Sequence, residues 1–247
     1  MLFWVWGLEG HRPTKDIDLL GYTSNDIETL EGHFRDICTV QSEDGLEFDL
    51  ESIKGIEIKE DALYQGVRVT GGANLAGAKI TFQVDIGFGD EVTPEAKTEK
   101  MVSFLDMPEP ELKVYPVYTV VAEKFQAMVK LGLANSRIKD FYDIWVIANE
   151  IEVGGGLLTE AINATFSARE TSITKEPLEI FQDEFTKDAN KETQWKAFLN
   201  KNGLESELTF EELMSQLKSY LEIPYIALSE GEGFDKEWSV SDWSWSA

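Results

Sequence analysis

The chain has 247 residues and a formal net charge of −24, which allows one large domain or two modest ones. So acidic a protein is poorly suited to wrapping nucleic acid non-specifically, because binding phosphate needs lysine and arginine. One cysteine, Cys38, excludes an internal disulfide and fits a reducing compartment.

Taken in chain order, Leu2 to Trp6 read as the end of a buried helix that stops at Gly7. The segment is too short to span a bilayer and no basic residue precedes it, so neither an anchor nor a signal peptide is expected. With no transmembrane run, the cytoplasm is the expected location. Gly10 and Pro13 mark a loop. Ile17 to Leu20, closed by Gly21, read as a short strand. Ser24-Asn25-Asp26 then form an N-cap, and Ile27, Leu30, Phe34 and Ile37 follow at helical spacing. Ile53, Ile56 and Ile58 suggest a further strand or a helix–strand mixture.

The clearest β signal runs from Gly66 to Gly89. Val67 and Val69 alternate with Arg68 and Thr70, and Ile80, Phe82, Val84 and Ile86 alternate with Thr81, Gln83 and Asp85. Gly71, Gly72, Ala73, Asn74 and Gly77 between them predict the turn region of a hairpin. Residues 90–116 carry four prolines and read as loop, with one strand candidate at Met101 to Phe104. From Val117 the period becomes helical. Val120, Val121, Phe125, Met128 and Val129 form one apolar face, and Ser136 is placed to cap a second helix carrying Phe141, Ile144, Trp145 and Ala148. Gln194 to Asn200 and Phe210 to Leu221 predict further helices. The expectation is therefore an α+β protein. A mixed-sheet domain spans residues 1–115 and a helical domain 116–228, and the Ser-, Glu- and Trp-rich stretch 229–247 reads as a flexible tail or one loosely docked, Trp238, Trp243 and Trp245 being its candidates for docking on the domain or on a partner.

Asp16 and Asp18 stand two residues apart on a predicted strand, so both side chains face one way and Ile17 and Leu19 the other. Adjacent carboxylates repel unless a cation lies between them, and magnesium favours oxygen ligands. An Asp-x-Asp pair alone specifies little. Asp85 adds weight, because it interrupts the apolar run Ile80 to Ile86 and precedes Gly87-Phe88-Gly89-Asp90. If the two strands are neighbours, three carboxylates converge. The alternative is that Asp85 merely faces solvent on a half-exposed sheet, and the residues alone favour neither. Lys113, Lys124, Lys130, Arg137 and Lys139 make a local reversal of sign in this acidic chain. They suit either a phosphate site or an exposed helix face with ion pairs one turn apart. Arg12 and Lys15 beside the aspartate pair are further phosphate candidates. His11 and His33 lack zinc-site spacing, and Cys38 reads as a small core residue.

Four segments occur in order: Arg12-x-Thr14-Lys15-Asp16-Ile17-Asp18-Leu19, Val84-Asp85-Ile86-Gly87-Phe88-Gly89-Asp90, Val121-Ala122-Glu123-Lys124-Phe125-Gln126-Ala127, and Arg137-Ile138-Lys139-Asp140-Phe141-Tyr142-Asp143-Ile144. Together they resemble the AbiEii/AbiGii toxin family of nucleotidyltransferase-like proteins, from bacterial toxin–antitoxin and abortive phage-infection systems. The resemblance implies a polymerase-β-type nucleotidyltransferase domain with a mixed sheet, followed by a helical domain. It implies nucleotide transfer from a nucleoside triphosphate to an acceptor, RNA and in some members the tRNA 3′ end, with Mg2+ or Mn2+ as cofactor and an antitoxin as partner. By position, Asp16, Asp18 and Asp85 match the metal-binding and catalytic carboxylates. Thr14, with Arg12 and Lys15 around it, matches a nucleotide-binding segment, and Lys124 matches the lysine at the triphosphate, beside Glu123. Lys139, Asp140 and Asp143 match the last motif, in which an aspartate is functional.

The family usually opens with a Gly-Gly or Gly-Ser element, whose small residues let backbone N–H groups approach phosphate. No such pair precedes Asp16. Either the start lies upstream of Met1 or this form lacks part of its phosphate cradle. The second case leaves a degenerate nucleotidyltransferase fold that binds without chemistry as the alternative function, and a transferase acting on small molecules as a third.

Overall fold

The computed structural model describes residues 2–8, 12–14, 17–60, 64–101, 103 and 107–246. Its elements in chain order are α1 (Leu2–Val5), β1 (Ile17–Gly21), α2 (Ile27–Cys38), β2 (Leu46–Glu60), β3 (Tyr64–Leu75), β4 (Ala78–Phe88), β5 (Lys97–Lys100), β6 (Glu111–Val114), α3 (Val117–Leu131), α4 (Ile138–Glu150), α5 (Gly155–Ala168), α6 (Asp183–Thr186), α7 (Ala189–Asn202), α8 (Phe210–Glu230), β7 (Glu237–Ser239) and β8 (Ser244–Ser246). This is an α+β protein, as its residue patterns predict. It divides into two compact units, residues 13–90 and residues 2–12 with 91–247. Residues 91–115 therefore group with the helices rather than with the sheet.

The first unit is a four-stranded mixed sheet in the order β1-β4-β3-β2. β3 and β4 form the predicted hairpin, but the turn is only Ala76-Gly77. Gly71 to Asn74, expected in the turn, continue the strand and pair with residues Lys79 to Phe82. Gly71 suits that position because a Cβ there would collide with the Phe82 ring. One sheet face carries Val67, Val69, Val84 and Ile86, buried against Leu30 of α2 and Ile53 of β2. Ile53, Ile56 and Ile58 all lie in β2, a strand throughout, and Ile56 is exposed. α2 begins as its sequence predicts, with the Asp26 carboxylate accepting from the Thr29 N–H at 2.8 Å. Its apolar stripe ends on Cys38 rather than on the exposed Ile37. Glu31 ties the helix to the sheet by accepting from Gly55 N–H at 2.8 Å.

The second unit is built on α3, α4, α5, α7 and α8 around one core that includes Phe125, Phe141, Phe166, Trp195 and Tyr220. Ser136 does not cap α4, which starts without a side-chain cap hydrogen bond. Arg137 is the N-cap, and its N–H donates to the Asn135 side chain at 2.8 Å, with Ser136 between them exposed. α8 starts with a reciprocal Thr209–Glu212 capping box. The strand expected at 101–104 is replaced by β5 and β6, which pair antiparallel on either side of that segment. Met101 and Ser103 lie outside strands, and Val102 and Phe104 fall outside the described residues.

A flexible tail over 229–247 is not what the structure contains. α8 runs on to Glu230, and β7 and β8 close a hairpin whose Trp238 is only 1% exposed. The Trp238 indole donates to the Ala148 carbonyl at 2.8 Å and that of Trp245 to the Tyr220 carbonyl at 3.1 Å. The composition misled because serine and glutamate dominate the segment, while its few apolar residues are large aromatics that each bury much area. Replacing Trp238 by alanine removes a filled core position and should cost about 3–5 kcal/mol. Urea unfolding of the full chain, followed by circular dichroism, reads that loss.

Candidate functional site

In the first unit, β1 lies parallel to β4, and the register sets Asp18 opposite Asp85. Partners in a parallel ladder point to the same face of a sheet, and strands lie about 4.8 Å apart. Val84 and Ile86 on either side of Asp85 are buried on the opposite face. The neighbouring-strand condition set by the sequence is thus met for Asp18 and Asp85. Asp16 and Lys15 lie outside the described residues. Among the described residues, no group of three or more His, Cys, Asp or Glu side chains is arranged to hold a metal ion. Thr14 precedes the strand in an exposed position.

On the other side of Asp85, β3 presents Arg68 in register. Its guanidinium donates from Nε to Oδ1 and from Nη2 to Oδ2 of Asp85, both at 2.7 Å. This is the bidentate fork that planar guanidinium and carboxylate favour. Sequence reading placed Arg68 only on the polar side of a strand. The available signal was a lone arginine on the polar face of a hairpin whose other strand carries a lone aspartate. Farther along β3 and β4 is an open cleft of mixed character, lined by Ser52, Thr70, Thr81 and Gln83 together with Phe82.

The second unit holds a separate, buried charge cluster. Lys124 on α3 donates its ammonium to Asp140 Oδ1 and Asp143 Oδ2 of α4, both at 2.8 Å. Arg12 forks onto Asp143 from Nε at 2.7 Å and Nη2 at 2.6 Å. Arg137 donates from Nε to Asp140 at 2.6 Å. The two carboxylates are almost fully buried, while the cations reach the surface, with Arg137 the most exposed. Burial acts to raise the Asp140 carboxyl, but Lys124 and Arg137 outweigh it and hold it at about 2. Asp143 is lowered too, Lys124 and Arg12 prevailing over its burial. Burial acts against the Lys124 charge, yet Asp140 and Asp143 together hold its ammonium well above the usual lysine value.

So Lys124, Asp140, Asp143 and Arg12, all singled out from sequence, meet in one cluster, and Arg137 joins them. Lys139 does not; it is exposed on α4. Glu123 lies 3.5 Å from Arg169. The ion pairs cross between helices and segments. The exposed-face pairing that sequence also allowed, with partners one turn apart, describes only Arg137 with Asp140.

The mixed sheet sets Asp18 and Asp85 side by side in a chain that also holds a helical unit. The chain belongs to the AbiEii family: the family model described as nucleotidyl transferase AbiEii toxin, type IV TA system, matches residues 2–216. It is a family of nucleotidyl transferase toxins. No curated protein matches the chain. Among solved structures, that of JHP933 from Helicobacter pylori aligns at a TM-score of 0.48 and 13% identity, covering 90% of this chain and 79% of that one. Among the described residues no helix is long and apolar enough to cross a membrane.

Two outcomes follow from the buried cluster. Lys124→Met leaves two buried carboxylates short of a partner and should destabilise the protein by about 3 kcal/mol, read by urea unfolding at neutral pH. The Asp140 carboxyl sits at about 2 when folded against a reference of 3.8. Its contribution is therefore complete above the unfolded value and disappears as pH falls through the folded one. The difference in unfolding free energy between the unmodified protein and Asp140→Asn should shrink by about 2 kcal/mol between pH 5 and pH 2.

Proposed function

We propose that this protein is a divalent-cation-dependent nucleotidyltransferase that moves a nucleotide from a nucleoside triphosphate onto an RNA acceptor, the tRNA 3′ end being the first to test. Family membership supports the reaction class, and the in-register Asp18–Asp85 pair is the observation that carries the reading. The donor set fits a small hard cation. Both described candidates are carboxylates, which suit Mg2+ or Mn2+, while the Arg68 guanidinium is paired with one of them. Asp18 and Asp85, with Asp16, would hold the cation, which when bound polarises phosphate oxygens and lowers the barrier to attack.

The remaining chemistry belongs to the chain. The acceptor hydroxyl attacks the α-phosphorus, a new O–P bond forms, and the bond to pyrophosphate breaks. Asp85 takes the hydroxyl proton as general base. The role that the family pattern gives Lys124, neutralising the triphosphate, requires its ammonium to trade Asp140 or Asp143 for a phosphate oxygen. Arg12 and Arg137 would then keep the vacated carboxylate paired. An antitoxin partner and action in the cytoplasm belong to the same proposal.

Binding without chemistry is the second reading. It is favoured by the ion pairs themselves, since Asp85 and Lys124 are both engaged by protein groups. Calorimetry with Mg2+ and nucleoside triphosphate separates the two. Heat that vanishes in Asp18→Ala, without turnover in the unmodified chain, supports binding alone.

The full chain, Mg2+, each labelled nucleoside triphosphate and total tRNA form the direct assay. Label transfer is expected with at least one nucleotide and should fall about a hundredfold or more in Asp18→Ala and Asp85→Ala, since several kcal/mol of transition-state stabilisation are lost. Absence of transfer with all four nucleotides would remove the enzymatic reading.

A further inference from the structure

We propose that Arg68 is a positioning residue for the carboxylate pair: an internal counter-charge that holds Asp85 in the cation-free protein and that a divalent cation has to push aside. This rests on the reading of Asp18 and Asp85 as cation ligands.

The argument is geometric. Across three adjacent strands, Asp18, Asp85 and Arg68 form one row, because β1 pairs Asp18 with Asp85 and β3 pairs Arg68 with Asp85. Both Asp85 oxygens accept from the guanidinium at 2.7 Å. The Asp85 side chain is only 15% exposed, against 35% for Arg68. A charge pair shielded to that degree is screened less by water and salt than a surface pair. Two consequences follow. The fork fixes the plane of the Asp85 carboxylate before any cation arrives, since both of its N–H groups must be satisfied together. It also places a positive charge within bonding distance of an atom the cation needs.

A cation that binds Asp85 must therefore share the carboxylate with a like charge or displace it. In either case its affinity is lower than that of the bare aspartate pair. Polyphosphate changes the balance, because its oxygens can accept the guanidinium as it turns away and can ligate the cation as well. Arg68 thus favours joint entry of cation and nucleotide over loading by the cation alone.

The test is titration of the full chain with Mn2+ alone, free Mn2+ being read by electron paramagnetic resonance. Arg68→Met should bind Mn2+ roughly tenfold more tightly than the unmodified protein, as expected from removing a unit charge a few ångströms from the site. Arg68→Lys, which keeps the charge but not the fork, should fall between them, and Asp85→Asn should bind least. A purely structural arginine would leave the affinity unchanged or weaken it on removal. If Arg68→Met binds no tighter while Asp85→Asn still abolishes binding, the cation site stands and the role given to Arg68 is overturned. If no form binds Mn2+, Arg68→Met included, the carboxylate reading fails and this one falls with it. Should Arg68→Met not fold, shown by a lost helical signal, Arg68→Lys decides: affinity equal to or weaker than the unmodified protein overturns the proposal.

Discussion

Parallel pairing of β1 with β4 is the constraint on which the carboxylate site depends. Two strands that run the same way cannot be joined by a tight turn, so the chain between them must cross over. Here the crossover consists of α2, β2 and β3; β2 and β3 are themselves strands of the sheet, and α2 supplies part of the apolar cover on its buried face. The register that follows sets Asp18 beside Asp85 and Arg68 on the far side of it. A one-residue slip of β4 would turn Asp85 into the core and Val84 or Ile86 out of it. The burial of those two residues therefore fixes where Asp85 points, and packing on one face of the sheet maintains the chemistry on the other.

The second unit solves a different problem. Lys124, Asp140 and Asp143 are charged groups taken largely out of water, a costly step that strong mutual pairing must offset. Each carboxylate has two cationic partners, Lys124 with Arg137 on Asp140, and Lys124 with Arg12 on Asp143. This sharing explains why both carboxyls are pulled below their ordinary range although burial opposes it. It also joins α3, α4 and the segment before β1 through one set of short hydrogen bonds. Such a cluster is weak evidence of net stability, because a well-packed apolar substitute often matches its energy.

Legibility differed by element. Regular alternation made the β3–β4 hairpin readable, because a sheet with one buried face imposes a period of two on its residues. The turn was harder: Gly71 and Gly72 resemble turn residues, yet Gly71 is small because the Phe82 ring packs over it. β5 and β6 carry mainly polar residues, Lys97-Thr98-Glu99-Lys100 and Glu111-Leu112-Lys113-Val114. They offer no apolar period, and only backbone pairing shows them as strands. The hairpin of β7 and β8 was hidden by its composition, since three tryptophans among serines and acids do not advertise which ring is buried.

By itself the sequence determined the kind of protein this is. It settled an α+β chain with helices filling its second half, one polar and one apolar face on the central hairpin, and an ordered set of charged motifs shared with a nucleotidyltransferase-like toxin family. Those properties are local, or lie in the order of residues along the chain. Only the tertiary structure decided the pairings. It set Asp85 between Asp18 and Arg68, directed Lys124 to Asp140 and Asp143, and brought Arg12 to Asp143 across 131 positions of chain. The physical reason is that a salt bridge or a strand register depends on distance in space, and residues far apart in sequence acquire that distance only when the apolar faces between them have packed.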